Sequence, residues 1–316
     1  MKLYRYRALR RILTGIAAGA CLAFAASGAA QAQQKFKSPE EAVTALVAAV
    51  RADNVRDMIS VLGWQAREIL LSGDDVADQT ARAAFLVAYD LKHQIVKKGE
   101  GGAELVVGRN DWQLPIPLVA RNGAWQFDAA AGREEILFRR IGRNELNAIQ
   151  AVLAFLDAQN DYAAMNPLNT KADSYAQRIV SSPGKKDGLY WPAAANEPQS
   201  PLGAAFALAT LQGYRFGQGQ APYHGYYYKV LTAQGPNAPG GAMSYIVHGN
   251  MIGGYALVAY PAENGNSGVM TFLVNHNGVV FQKDLGERTA RIASRMTAYN
   301  PDRTWKKVDP ADLALR

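Results

Sequence analysis

The sequence predicts an α+β protein, in which helices and antiparallel strands occupy separate segments of the chain. Apolar residues recur at helical spacing before residue 92 and again from residue 132 to about residue 164. Between and after these segments, short runs rich in β-branched and aromatic residues are joined by turn sequences. Runs of strands that follow runs of helices are the pattern of this fold class.

The first 32 residues have the pattern of a cleaved export signal. Five basic residues and no acidic ones precede an apolar run from Ile12 to Ala26, and Ala30-Gln31-Ala32 has the form of a cleavage site. We therefore expect a mature chain that starts at Gln33, in a periplasmic or secreted protein. An uncleaved membrane anchor is the alternative, but the apolar run is shorter than the roughly 20 residues that a membrane span needs.

Loss of this leader changes what the composition implies. Cys21 is the only cysteine, so the mature chain is expected to have no disulfide, no thiolate nucleophile and no cysteine-bound metal. The leader also holds five of the basic residues, which leaves the mature chain with nearly balanced charge. We therefore expect no nucleic-acid partner. No later apolar run approaches the length of a membrane span, so none is expected in the mature chain.

Residues 33–131 are predicted to form a first domain of helices and a strand meander. Ser38 is expected to cap the first helix, because Pro39 follows at the first helical position and Glu41 stands three residues after the serine. Asn122-Gly123 is a strong hairpin signal. Two further helices are predicted at about residues 55–62 and 80–92. Four strands are predicted at about residues 93–97, 103–107, 113–120 and 124–128.

Residues 132–316 are predicted to form a second domain, a long helix packed on an antiparallel sheet. The helix is expected to run to about residue 164, with a kink or a break at Gly142. A loop rich in proline and glycine follows at 183–201. Two more helices are predicted at about residues 202–211 and 289–297. Five strands are predicted at about residues 225–233, 244–248, 254–260, 269–275 and 279–284.

Five stretches of the mature chain resemble a bacterial family of exported proteins known as domain of unknown function 2950. These stretches are DWQLPIPLV from Asp111, REEILFRRIGRNEL from Arg133, SSPGKKDGLYWPA from Ser181, PYHGYYYKVLTAQGP from Pro222 and GNSGVMTFLVNHNGVVFQKDLG from Gly265. The resemblance implies export. It implies no activity, and no catalytic residue is carried over from it.

Two further resemblances concern the fold alone. SPEEAVTALVAAVRADNVRDMISVL, from Ser38, resembles the opening helices of the cone-like fold of nuclear transport factor 2. The second half, with a helix that ends in AQNDY and strands that include GYYYKVL and NHNGVV, resembles the globular part of type IV pilins. The pilin class III signal and apolar N-terminal helix are absent, so we do not expect a polymerising pilin. A fold does not by itself specify a function.

The segment PYHGYYYKVLT, from Pro222, has the strand propensity of its tyrosines. Alternation places Tyr226, Tyr228 and Val230 on one face, which we expect to pack in the core. Tyr223 and His224 are expected at a rim. The alternative is a ligand-binding surface for a sugar or aryl group, because aromatic faces suit such ligands. Its residues would be Tyr190, Trp191, Tyr223 and His224.

Sequence motifs for cofactor-dependent or nucleophilic catalysis are absent. The four histidines of the mature chain are not in HxH, HxxxH or HExxH spacing, so we expect no metal site. There is no GxSxG motif and no phosphate-binding loop, and we expect no cofactor. Asp111 and Asp128 are the weak catalytic candidates that are left, as an acid–base pair in a cone-like pocket.

Two functions therefore compete. The leading hypothesis is a non-catalytic protein of the cell envelope that binds a small ligand or another envelope protein. The alternative is a small-substrate hydrolase or isomerase that acts in an N-terminal cone pocket. A cavity that holds Asp111 or Asp128 with a raised pKa would favour the enzyme. A filled cone, with aromatic groups exposed in the second domain, would favour binding.

Overall fold

The computed structural model describes residues 33–215 and 221–309. The predicted leader, with Cys21 and the cleavage site after Ala32, lies outside the described residues. Within them, helices and mainly antiparallel sheets occupy separate segments, which confirms the α+β class. The cone-like and pilin-like descriptions stay predictions, and so does the division into domains between residues 131 and 132.

Four helices precede the first sheet: α1 (Pro39–Arg51), α2 (Val55–Leu62), α3 (Arg67–Leu70) and α4 (Asp75–Leu91). Ser38 caps α1 as predicted, with its Oγ accepting a hydrogen bond from Glu41 N at 3.2 Å. The prediction of a helix at 55–62 is confirmed. The helix expected at about residue 80 begins earlier, at Asp75, because Asp74 accepts from Ala77 N at 3.0 Å and so satisfies a first-turn donor.

The first sheet packs against α1 and α2. Its strands run in the order β1-β2-β4-β5, with β3 paired to β2. Pro115 and Pro117 interrupt the strand predicted at 113–120, because proline has no N–H to donate to a neighbouring strand. Leu105, Leu118 and Phe127 are fully buried in the core. The strands are β1 (His93–Lys97), β2 (Gly102–Val107), β3 (Trp112–Gln113), β4 (Leu118–Arg121) and β5 (Ala124–Phe127).

A single long helix, α5 (Ala129–Met165), connects the two hydrophobic cores. Asp128 caps its first turn, and Asn166 ends it in the left-handed conformation. Of the kink or break predicted at Gly142, the break is wrong, because the helix runs through this residue. One glycine weakens a helix by about 1 kcal/mol, and α5 is supported by contacts on both sides of it.

The second sheet has the strand order β17-β15-β14-β13-β8. The interior strand β13, between β14 and β8, is buried along its whole length, with α5 and the short helix α7 in contact with it. These elements are α6 (Gly203–Leu211), α7 (Thr289–Ala293), β8 (Tyr226–Leu231), β13 (Ala256–Pro261), β14 (Met270–Asn275), β15 (Phe281–Asp284) and β17 (Lys306–Lys307). The helix predicted at 289–297 is shorter than expected and ends at Ala293, and residues 298–299 pair with another strand.

Several short strands were not predicted. β6 (Arg178–Val180) and β7 (Gly188–Tyr190) pair in parallel, and so do β9 (Ala233–Gln234) and β16 (Ala298–Tyr299). In place of the single strand predicted at 244–248, there are two short strands, and each belongs to a different strand pair. These strands are β10 (Met243–Ser244), which pairs with β9, and β11 (Ile246–Val247), which pairs with β12 (Asn250–Met251).

The loop formed by residues 263–268 holds several of these elements together. Asn266 accepts from Arg140 Nη1 at 2.6 Å and donates to Leu71 O at 2.9 Å. One turn further along α5, Asn144 Nδ2 donates to Ser267 O at 2.9 Å. Asn266 and Asn144 are both buried. The loop therefore joins α5, the segment after α3 and the second sheet through buried hydrogen bonds.

We predict that Asn266→Ala destabilises the protein by about 2 kcal/mol, because it leaves Arg140 and Leu71 with unsatisfied buried hydrogen-bonding groups. Denaturant unfolding measures this loss. Asn264→Ala is the matched control, since the Asn264 amide makes only two long hydrogen bonds, both of 3.3 Å. We expect it to cost less than about 1 kcal/mol. Equal losses in the two variants would show that the Asn266 contacts do not have this role.

Tyr226 confirms the prediction that it lies in the core. The residue is fully buried, and its hydroxyl donates to Met270 O at 2.9 Å. Its ring fills the space beside Gly268, where any side chain would overlap it. We predict a loss of about 3–5 kcal/mol for Tyr226→Ala. Tyr226→Phe should lose only about 1 kcal/mol, because it keeps the ring and removes one hydrogen bond. Thermal unfolding of the two variants tests this difference, and a stable Tyr226→Ala would contradict it.

Candidate functional site

A cavity of about 620 Å³ lies between α5, α6, β6 and the edge strand β8, and we call it the helix–sheet cavity. This volume is within the range of small-molecule binding sites. Its apolar wall residues are Ala151, Ala154, Phe155, Ile179, Val180, Leu202, Ala205, Phe206, Ala209, Ala221, Val230 and Leu257. Its polar wall residues are Asn147, Gln150, Gln177, Arg178, Arg215, Tyr223, His224, Tyr228 and Lys229.

Small side chains on two helices create this space. Ala151 and Ala154 lie on α5, and Ala205 and Ala209 lie on α6. Protein interiors are normally packed as densely as organic crystals, so alanines at facing positions leave room that larger side chains would fill. Short side chains on these two helices therefore leave space beside β8 that larger side chains would occupy.

A buried carboxylate fixes the turn that precedes β8. Asp74 is only 1% exposed. Its Oδ2 accepts from Gly225 N at 2.8 Å and from the Tyr214 hydroxyl at 2.9 Å. The Tyr214 hydroxyl in turn accepts from His224 N at 3.3 Å. These bonds hold Tyr223 and His224 at the cavity wall.

His224 has the left-handed backbone conformation, with φ of 51°. This conformation is uncommon for residues other than glycine, and it occurs disproportionately at functional sites. The next residue, Gly225, is also left-handed, and a side chain there would contact Asn144 Nδ2 at 2.6 Å. The turn therefore presents the His224 side chain to the cavity in a strained conformation that hydrogen bonds maintain.

The four predicted ligand-binding residues do not all lie at one site. Tyr223 and His224 line the helix–sheet cavity. The Tyr190 ring stacks on Phe206, a wall residue, with ring centres 4.1 Å apart and planes 10° apart. Trp191 is buried instead in the core, where its ring meets Tyr162 edge-on. Adjacent residues of an extended segment point to opposite sides, which explains why Tyr190 and Trp191 are separated.

The face of β8 that was predicted to be core is only partly so. Tyr226 is buried, but Tyr228 and Val230 are half-buried and line the helix–sheet cavity. The prediction of a core position for these two residues is therefore corrected. The face does turn toward α5, but the alanines of that helix are too small to cover its second half.

Burial keeps the aromatic wall uncharged near neutral pH. Removal from water raises the pKa of the Tyr223 and Tyr228 hydroxyls, and it lowers the pKa of the His224 imidazole. Asp74 opposes the shift at His224, and Arg143 adds to it. These three groups can therefore form neutral hydrogen bonds with a bound molecule.

A second cavity, of about 330 Å³, lies between α4, α5 and the first sheet, and we call it the N-terminal cavity. Neither catalytic candidate lines it. Asp111 pairs with Lys92 at 2.6 Å, and Asp128 caps α5 and pairs with Arg121 at 2.7 Å. The ionisable residues in its wall are Asp78, Arg82, Arg139, Arg140 and Arg143.

Asp78 is the carboxylate of the N-terminal cavity. It is buried, and desolvation raises its pKa. Its Oδ2 accepts from Ser72 N at 2.8 Å, which braces the segment before α4. Arg140, in the same wall, donates to Ile69 O and to Glu68 O. Both side chains thus have structural hydrogen bonds that explain their positions.

Searches for metal sites and membrane spans covered the described residues. In residues 33–215 and 221–309, no three His, Cys, Asp or Glu side chains are grouped as metal ligands would be. No helix in that part of the chain combines the length and the apolar character that crossing a membrane requires. Of the other histidines, His93 stacks on Tyr89, and His248 lies in the turn between β11 and β12.

The fold is α+β, and the helix–sheet cavity is a partly open, mostly apolar space between its helices and its second sheet. The chain belongs to the family described as Protein of unknown function (DUF2950), whose model matches residues 33–308. The family predicted from the five sequence stretches is therefore confirmed. No curated protein and no solved structure matches the chain.

We predict that the free energy of unfolding decreases as the pH falls from about 7 to about 5, partly because of His224. The unfolded histidine has a pKa of about 6.5, and the folded pKa lies below it. Just below pH 6.5 the unfolded state therefore binds the proton more readily, which destabilises the fold. Denaturant unfolding at several pH values measures this slope.

The variant His224→Asn removes the titrating group and keeps a residue that tolerates the left-handed conformation. We expect a smaller pH slope in this variant than in the wild type. His248→Asn is the matched control for the substitution itself, because His248 is also left-handed and is exposed. A slope that is the same in His224→Asn and in the wild type would contradict the prediction.

Proposed function

We propose that this protein is an exported binding protein of the cell envelope that holds a small, largely apolar molecule in the helix–sheet cavity. The observation that carries the proposal is the cavity itself, with a volume of about 620 Å³ and a wall that is mostly apolar and aromatic. Small-molecule sites typically combine such a wall with a few polar groups that orient the ligand. His224, Tyr223 and Gln150 are polar groups of this kind.

The composition of the wall favours binding over hydrolysis. Among the described wall residues there is no Ser, Thr, Cys, Asp or Glu. Covalent catalysis of acyl transfer needs a nucleophile beside a base, and acid–base catalysis commonly pairs a histidine with a carboxylate. The wall provides the histidine without these partners. A hydrolase or isomerase in the N-terminal cavity is the alternative, and Asp78 is the carboxylate on which it would depend.

Export is supported by the leader pattern of residues 1–32. The expected mature protein begins at Gln33 and is found outside the cytoplasm. Intact-mass measurement of protein from the periplasmic and secreted fractions tests this part of the proposal. A mass that includes residues 1–32, or a lipid on Cys21, would contradict it.

We predict that the wild-type protein binds an amphipathic fluorescent dye such as anilinonaphthalene sulfonate, which has an aromatic body and an anionic sulfonate, and that Ala151→Trp weakens this binding about tenfold or more. The indole would occupy part of the helix–sheet cavity and leave less space for the dye. Ala164→Trp is the matched control, because Ala164 is an exposed residue of the same helix outside the cavity wall. Fluorescence titration measures the dissociation constants.

A second variant protects this test against misfolding. Ala205→Trp fills the cavity from α6, where the alanine is exposed and overpacking is less severe. Circular dichroism checks that each variant folds. If the folded cavity variants bind the dye as well as Ala164→Trp does, the dye does not enter the helix–sheet cavity and the proposal is wrong.

A further inference from the structure

The wall of the helix–sheet cavity has positive charge and no negative charge. It includes Arg178, Arg215 and Lys229, and none of its described residues is Asp or Glu. The chain after the predicted leader has almost equal numbers of basic and acidic residues. A wall with three cations and no carboxylate is therefore a local feature of the cavity, distinct from the overall charge of the chain.

The three cations differ in what surrounds them. Lys229 Nζ donates to the carbonyl oxygens of Ser294 and Met296, at 2.7 and 2.8 Å, and so points toward the end of α7. Arg178 lies 3.7 Å from the Asp187 carboxylate. Arg215 is exposed, and it has no hydrogen bond or ion pair with residues 33–215 or 221–309. Of the three cations, Arg215 is therefore the one without a partner among the described residues.

A neutral donor in the same wall also lacks a partner. The Gln150 Nε2 atom is buried, and no hydrogen-bond acceptor lies near it in the described residues. A buried N–H group without an acceptor is unfavourable. Gln150 is also a wall residue of the helix–sheet cavity.

A guanidinium at the cavity wall without a described partner favours an anionic acceptor. Arginine binds carboxylates with two parallel hydrogen bonds, and this geometry adds specificity to the charge attraction. The apolar remainder of the wall, which includes Phe155, Phe206 and Val230, selects an apolar body. The two requirements together describe an apolar molecule with one acidic head.

We propose that the ligand of the helix–sheet cavity is an apolar carboxylic acid, bound in its anionic form with the carboxylate at Arg215. This inference rests on the proposed function and names the chemical class of its ligand. The apolar body lies between α5, α6 and β8, and the carboxylate lies at the mouth of the cavity.

Displacement of the fluorescent dye by two matched compounds tests this proposal. Dodecanoate and dodecanol have the same apolar chain and differ in the charged head. With the full mature protein at low salt, we expect dodecanoate to displace the dye at about tenfold lower concentration than dodecanol. Equal displacement by the two compounds would overturn the carboxylate inference and leave the proposed function intact. If neither compound displaces dye that is bound in the cavity, the apolar-chain ligand class is wrong.

Arginine variants locate the charge. Arg215→Gln should remove most of the difference between acid and alcohol, measured as the ratio of the two displacing concentrations. Arg109→Gln is the matched control, because it removes an equal charge from an exposed site outside the cavity wall. If both variants weaken dodecanoate binding equally, overall charge explains the preference and the proposal for Arg215 is overturned. A complete absence of dye binding by the wild type would instead refute the proposed function.

Discussion

The buried carboxylate of Asp74 is the interaction on which the candidate site depends. A charged group is costly to bury unless hydrogen bonds replace the water that it loses. Asp74 has three such bonds, from Ala77 N, Gly225 N and the Tyr214 hydroxyl. The first bond starts α4, and the other two bind the turn before β8. One side chain therefore ties the start of a helix in the N-terminal half to the cavity wall in the second half.

The loop of residues 263–268 likewise joins distant segments of the chain through buried hydrogen bonds. Asn266 links Arg140 of α5 to Leu71, and Asn144 links α5 to Ser267. Fully satisfied polar networks in a core specify one arrangement of the surrounding elements, because every alternative leaves a buried group unpaired. Of the elements that these bonds join, α5 lines both cavities, so the bonds fix the position of one wall of each cavity.

Local signals explain which parts of the fold could be predicted. The Ser38 cap, the Asn-Gly hairpin and the burial of Tyr226 each follow from residue type and spacing. The parallel pairs of two or three residues could not be predicted, since tertiary contacts and not propensity form such short strands. Within the site, Tyr223 and His224 were found through their aromatic character. Asp74 was missed, because a helix-capping aspartate has the same sequence signal whether it is exposed or buried.

A cavity of this kind requires a rigid frame. Protein interiors are close-packed, and a space lined by alanines collapses if its walls can approach each other. On one side α5 is a continuous helix anchored in both cores, and on another β8 is paired along its length with the buried strand β13. The hydrogen bonds of Asp74 fix the turn before β8, which places Tyr223 and His224 in the cavity wall. These restraints come from strand pairing, helix continuity and the Asp74 bonds. The small side chains at positions 151, 154 and 205 therefore leave the space beside β8 unfilled while the frame around it is held by other residues.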